Sequence, residues 1–134
     1  MATDALQQFQ ASVTKTATFR GTAFSLPGGT PRRGNTCRVI YSAAANASGA
    51  NTVTFSIDVS YDAGSTWNQE FFSDPIALTT VAKSGEIHIP YRVVPNVMAP
   101  SPVAPQVALS VNISGAGSTP TVTYQGDAST GGPS

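Results

Sequence analysis

In Thr52-Val-Thr-Phe-Ser-Ile-Asp-Val-Ser-Tyr61 every second residue is large and apolar. Val53, Phe55, Ile57, Val59 and Tyr61 share one side of an extended chain, and Thr54, Ser56, Asp58 and Ser60 share the other. Successive side chains of a strand point to opposite faces, so this alternation predicts an antiparallel strand with one face on a core and one toward water. An amphipathic helix would need a spacing of three and four, which the stretch does not have.

The same period recurs outward from this stretch. Glu86 to Val93 places Ile87, Ile89, Tyr91 and Val93 inward and His88 and Arg92 outward; Gln106 to Ile113 aligns Val107, Leu109, Val111 and Ile113. Weaker runs cover 13–24, 36–42, 66–72, 76–81 and 120–125, with Phe19 and Phe24 as anchors of the first. Between them lie turn-forming clusters, among them Asn46-Ala-Ser-Gly49, Asp62-Ala-Gly64 and Lys83-Ser-Gly85. About eight short strands with turns roughly every ten residues suggest a sandwich or a barrel; we expect an all-β, antiparallel β-sandwich, for which a jelly roll is one candidate topology.

With 134 residues there is room for one domain. We place the sandwich at 13–125, flanked by an N-terminal arm at 1–12 and a Gly/Ser-rich tail at 126–134. In the arm only Leu6 and Phe9 are large and apolar, so an arm, a short helix or an edge strand all fit it. Residues 94–105 carry Pro95, Pro100, Pro102 and Pro105. Proline cannot donate to a strand ladder, so an extended surface connection is expected there.

Seven Lys and Arg oppose seven Asp and Glu, and charged residues are 10% of the chain, where a globular domain carries about a quarter. A phosphate-binding surface concentrates Lys and Arg. The one local cluster here is Arg32, Arg33 and Arg38, so nucleic acid is not an expected partner. No apolar run approaches the roughly 20 residues of a membrane helix. Met1 to Gln8 has neither the basic start nor the apolar run of a secretory signal, so synthesis in the cytoplasm is expected.

Catalysis finds little support in the residue pattern. The single histidine, His88, lies two positions from Glu86 on one strand face, without a nucleophile or further metal ligands in its neighbourhood. The single cysteine, Cys37, sits in the apolar run Cys37-Arg-Val-Ile-Tyr41, where a thiol acts as a small hydrophobe. No glycine-rich phosphate loop follows a strand and opens a helix. We expect no enzyme activity, no catalytic residue, no metal and no cofactor.

Ser60-Tyr-Asp-Ala-Gly-Ser-Thr-Trp67 resembles the Asp-box of sialidases and related β-propellers. There the Asp62 carboxylate accepts hydrogen bonds from turn N–H groups, Gly64 supplies a positive φ, and Trp67 folds onto the core. Sialidases repeat the motif at fixed spacing; one copy predicts a well-made hairpin turn with structural roles for Ser60, Asp62, Gly64 and Trp67. The wider stretch from Phe55 to Trp67, with Val107-Ala-Leu-Ser-Val-Asn-Ile-Ser-Gly115, is similar to small β-sandwich virion proteins of tailed bacteriophages.

That resemblance implies a capsid decoration (cement) protein on the outer surface of the virion. It would bind the major capsid protein, be made in the host cytoplasm, work as a homo-oligomer with a trimer favoured, and leave membranes alone. Candidate partner contacts are Leu6, Phe9, Arg32, Arg33, Val97 and Met98. A head–tail connector or tail component is the alternative within that class. A carbohydrate- or cell-surface-binding module is the alternative outside it, with Trp67, Tyr61 or Tyr124 as stacking platforms. Against it, Tyr61 shares the apolar face of its strand and Trp67 belongs to the turn, which predicts core positions for both.

Overall fold

The alternating runs become strands in a computed structural model, which describes residues 6–26, 30, 34–45, 51–94, 104–115 and 120–129. In chain order these are β1 (Leu6–Lys15), β2 (Phe19–Arg20), β3 (Phe24–Ser25), β4 (Asn35–Ala43) and β5 (Asn51–Ser60). They continue as β6 (Asn68–Phe72), β7 (Ile76–Leu78), β8 (Lys83–Tyr91), β9 (Gln106–Ser114) and β10 (Val122–Ser129). All pairings among them are antiparallel, and the described residues contain no helix.

One sheet has the order β1-β10-β4-β8, and the other has β2-β9-β5-β6 with β3 also on β9 and β7 also on β5. The short strands are halves of broken edges. β2 pairs with Ser110 and Val111 while β3 pairs with Gln106 and Val107 of the same strand. Likewise β6 lies along 56–59 and β7 along 51–53 of β5. Counting each broken edge once gives eight strands, four to a sheet. The expected runs 66–72 and 76–81 are two halves of one edge, the run 13–24 divides among β1, β2 and β3, and most of β1 lies outside the expected strands.

The pairing is nested. First strand meets last (β1 with β10), second meets seventh (β2/β3 with β9), third meets sixth (β4 with β8), and fourth meets fifth (β5 with β6/β7). A single long hairpin rolled into two layers has this connectivity, which is the jelly roll. Breaking both edges of the second sheet also shortens the rows of unpaired backbone groups that could template pairing with another chain.

Between the layers, Val53, Phe55, Ile57 and Val59 of β5 and Val107, Leu109 and Val111 of β9 are at most 1% exposed. They meet Cys37 and Val39 of β4, Ile89 and Tyr91 of β8, and Val122 and Tyr124 of β10. Aromatic rings tie the sheets together. Phe55 lies 5.2 Å from Tyr124, Phe9 lies 4.8 Å from Phe24, and Phe71 lies 6.4 Å from Tyr91. At Gly126, in the middle of β10, a Cβ would overlap the Leu109 side chain of the facing sheet and touch Phe9 and Cys37. Glycine is therefore what lets the layers close at this point.

The sheet extends further toward both ends of the chain than the sequence reading allows. The boundary drawn between residues 12 and 13 falls inside β1, and the one between 125 and 126 falls inside β10, because these two strands pair from Leu6↔Ser129 to Lys15↔Val122. Phe9 is a core residue at 3% exposure rather than a free partner contact. Two register shifts in β1, between Gln8 and Gln10 and between Gln10 and Val13, obscure the two-residue period that would have marked it as a strand. Leu6 opens β1. Arg32, Arg33, Val97 and Met98, residues 1–5 and 130–134, and most of the proline-rich segment lie outside the described residues.

Cys37 is completely buried, and its thiol is pushed up to about 12, first by desolvation and then by the Asp127 charge. The thiolate is the reactive form. The native protein is expected to resist iodoacetamide at pH 8 and to be labelled at Cys37 once unfolded. Stoichiometric labelling of the native chain, read by intact mass, would contradict this burial.

Candidate functional site

Polar side chains facing outward on β5 ought to meet water, yet Ser56, Asp58 and Ser60 are each 0% exposed, and Ser110 of the neighbouring strand is 2% exposed. An aspartate in mid-strand is disfavoured and a buried carboxylate needs partners. Asp58 has three. Its Oδ2 accepts from Ser110 Oγ at 2.6 Å and from Arg20 Nε at 2.8 Å, and its Oδ1 accepts from Ser56 Oγ at 2.9 Å.

The network then crosses the sheet. Asn112 Nδ2 donates to Ser56 Oγ at 3.3 Å, and Gln69 Nε2 donates to Asn112 Oδ1 at 3.0 Å. Residues from β2, β9, β5 and β6 are thus tied together on one face. β5 carries an apolar layer on one side and a closed polar layer on the other.

The Ser60–Trp67 turn caps one end of this layer. Asp62 Oδ1 accepts from the Thr66 N–H at 2.7 Å and from Ser60 Oγ at 2.8 Å. Ser60 Oγ in turn accepts from the Gly64 N–H at 2.9 Å. Gly64 has φ +92°, as the motif predicts, and Ala63 before it also takes a positive φ of 61°. Two consecutive left-handed residues make a tight reversal that the Asp62 and Ser60 side chains hold closed.

Hydrogen bonds from Thr66 (first its N–H, then its side chain) and from Ser60 stabilise the ionised Asp62 and lower its pKa below the ordinary 3.8. A depressed folded value means that this support is present above the unfolded carboxylate's pKa and is lost as pH falls through the folded one. The Thr66 amide chemical shift should therefore titrate with a midpoint below 3.8. A midpoint at or above that value would falsify the hydrogen bonding described.

The motif's tryptophan does not join the core. Trp67 is half-buried on the outer face of the second sheet, with its ring 5.1 Å from the Arg20 guanidinium carbon. Tyr61 is 38% exposed, because β5 ends at Ser60 and the chain leaves the sheet there. Both expectations of a core position are thus corrected: period two holds only while the strand lasts. Tyr124, by contrast, is 1% exposed and belongs to the core.

The structure brings Ser60, Asp62, Gly64 and Trp67 into one turn. His88 and Glu86 form a solvent-facing pair, Nε2 to Oε2 at 2.8 Å, on the outer face of the other sheet. Among the described residues no three of His, Cys, Asp and Glu gather as metal ligands. Arg20, Gln69, Ser110 and Asn112 had no motif to mark them. The one sequence signal was Asp58, a charge in the middle of the most regular strand. The sequence matches no protein-family model and no curated protein.

Proposed function

We propose that this chain is a structural virion protein of the capsid decoration type, which docks on the outer surface of a capsid shell and stabilises it. The observation that carries this reading is electrostatic. The net charge is zero and charged residues are only 10% of the chain, and on each outer sheet face basic and acidic side chains meet. Arg20 meets Asp58 at 2.8 Å, Arg38 meets Asp127 at 3.6 Å, and His88 meets Glu86 at 2.8 Å. The more exposed pairs, Arg38–Asp127 and His88–Glu86, add little stability. Their consequence is a surface with little net field, so many copies can crowd on a shell without mutual repulsion. Polar faces rich in Ser, Thr, Asn and Gln suit wet, hydrogen-bonded contacts with a major capsid protein. A homotrimer is the favoured assembly.

Particles purified from the source should carry the protein in hundreds of copies through sedimentation. Particles lacking it should assemble but break at lower temperature or under milder osmotic stress. Equal robustness with and without the protein would count against a cement role, and a single ring of copies would indicate a connector or tail component instead.

One observation favours a second reading. Tyr61 and Trp67 both reach the surface at the same turn, as a glycan-stacking platform would require. One obstacle is that Trp67 already packs against Arg20. Tight, saturable binding on a glycan array would put the glycan reading ahead of the shell.

A further inference from the structure

Asp58 lies on a sheet face that is otherwise uncharged along β5 and β9, and withdrawing a carboxylate fully from water there is costly. Besides closing the layer by accepting from Ser56 Oγ and Ser110 Oγ, it takes a third partner. What the carboxylate adds is a fixed guanidinium. Only Nε of Arg20 bonds to Asp58, and among the described residues no other hydrogen bond or ion pair engages that guanidinium. Arginine has five N–H donors, so four have no partner among the described residues. The side chain is 41% exposed, held from behind by Asp58 and flanked by the Trp67 ring. A preorganised guanidinium beside an indole has the composition of a binding hot spot.

We infer that Arg20, oriented by Asp58 and flanked by Trp67, is an anchor for the carboxylate of an acidic side chain on a partner polypeptide. A planar fork of donors matches a carboxylate in a bidentate pair, and one guanidinium balances one such charge. Two observations favour a polypeptide over an acidic sugar. The surrounding Ser56 and Ser110 hydroxyls donate to Asp58, Asn112 donates to Ser56 and Gln69 to Asn112, which leaves few of their donors and acceptors for a ring of hydroxyls. Arg20 also stands on β2, the outermost strand of its sheet, at a sheet edge, where a partner's side chain can approach.

Trp67 is the only tryptophan, so its emission reports on this site. The intact chain is titrated at constant ionic strength with a capped tripeptide containing one glutamate, and in parallel with the glutamine version. The glutamate peptide should give a saturable change and the glutamine peptide should bind at least tenfold more weakly. The paired substitution Arg20→Gln with Asp58→Asn removes both charges without orphaning either, and should abolish the response while thermal unfolding stays cooperative. Should that variant fail to fold, Arg20→Lys serves. It keeps the ion pair but not the fork, and should weaken binding several-fold.

Absence of any response in the wild type, an equal response to both peptides, or full binding by either variant would overturn the anchor. Tighter binding of N-acetylneuraminic acid than of the peptide would overturn the polypeptide assignment. The partner's identity rests on the shell reading, and particle binding separates the two. If the wild type and the doubly substituted chain co-sediment equally, the anchor fails and the shell reading stands. If the peptide binds through Arg20 but the chain never co-sediments, the shell reading fails and the anchor stands.

Discussion

Phe55→Ala is expected to destabilise the protein by about 3–5 kcal/mol, the usual cost of truncating a fully buried aromatic ring. Phe55 is 0% exposed and sits at the meeting of the two layers, 6.0 Å from Tyr41 on β4 and 5.2 Å from Tyr124 on β10. β5 is held on both sides, by β9 and by β6/β7, so the backbone cannot easily collapse into the space left by the ring. For a chain of this length the loss corresponds to a fall in Tm of roughly 10–20 °C. Phe55→Leu keeps most of the volume and should cost about 1–2 kcal/mol. Urea denaturation of the three proteins checks the order. Similar midpoints for all three would mean that the sheets are not packed through this ring.

Asp58→Ala is expected to cost about 3 kcal/mol, through polar groups rather than a cavity. It removes the acceptor shared by Ser56 Oγ, Ser110 Oγ and Arg20 Nε. The two serines are at most 2% exposed and cannot turn to water. The arginine, 41% exposed, can rehydrate, so the larger penalty known for stranding a buried charge is not reached. Asp58→Asn retains a carbonyl acceptor and should lose less. Chemical denaturation of both variants tests this, and a neutral Asp58→Ala would show that the outer layer contributes little to holding β2 and β9 to β5.

How much of this was legible beforehand depends on what each residue's position rests on. The inward set of β5, the turn at Asp62 and Gly64, and the inward sets of β8 and β9 follow from period two and from turn chemistry. Both are local properties of the chain, and the structure places them as expected. β1 is less legible in the sequence, since its register shifts break the period and the partners of Phe9, Phe24 and Tyr91, are distant along the chain. Tyr61 and Trp67 depart from the expected core positions for a different reason. Alternation says which side of a strand a residue takes, but not where the strand stops or what covers its other face.

The sequence by itself determined that the chain is an antiparallel sandwich of about eight strands, because alternation and turn signals are written residue by residue. It also determined the uncommon neutrality that underlies the proposed role. Only the tertiary structure decided that these strands nest as a jelly roll. It alone brought Arg20, Asp58, Ser110, Asn112 and Gln69 onto one face, since their adjacency comes from pairings that join residues 38 to 56 positions apart. Which outward side chain meets water and which meets a partner of its own is settled by that long-range pairing, and no local pattern encodes it.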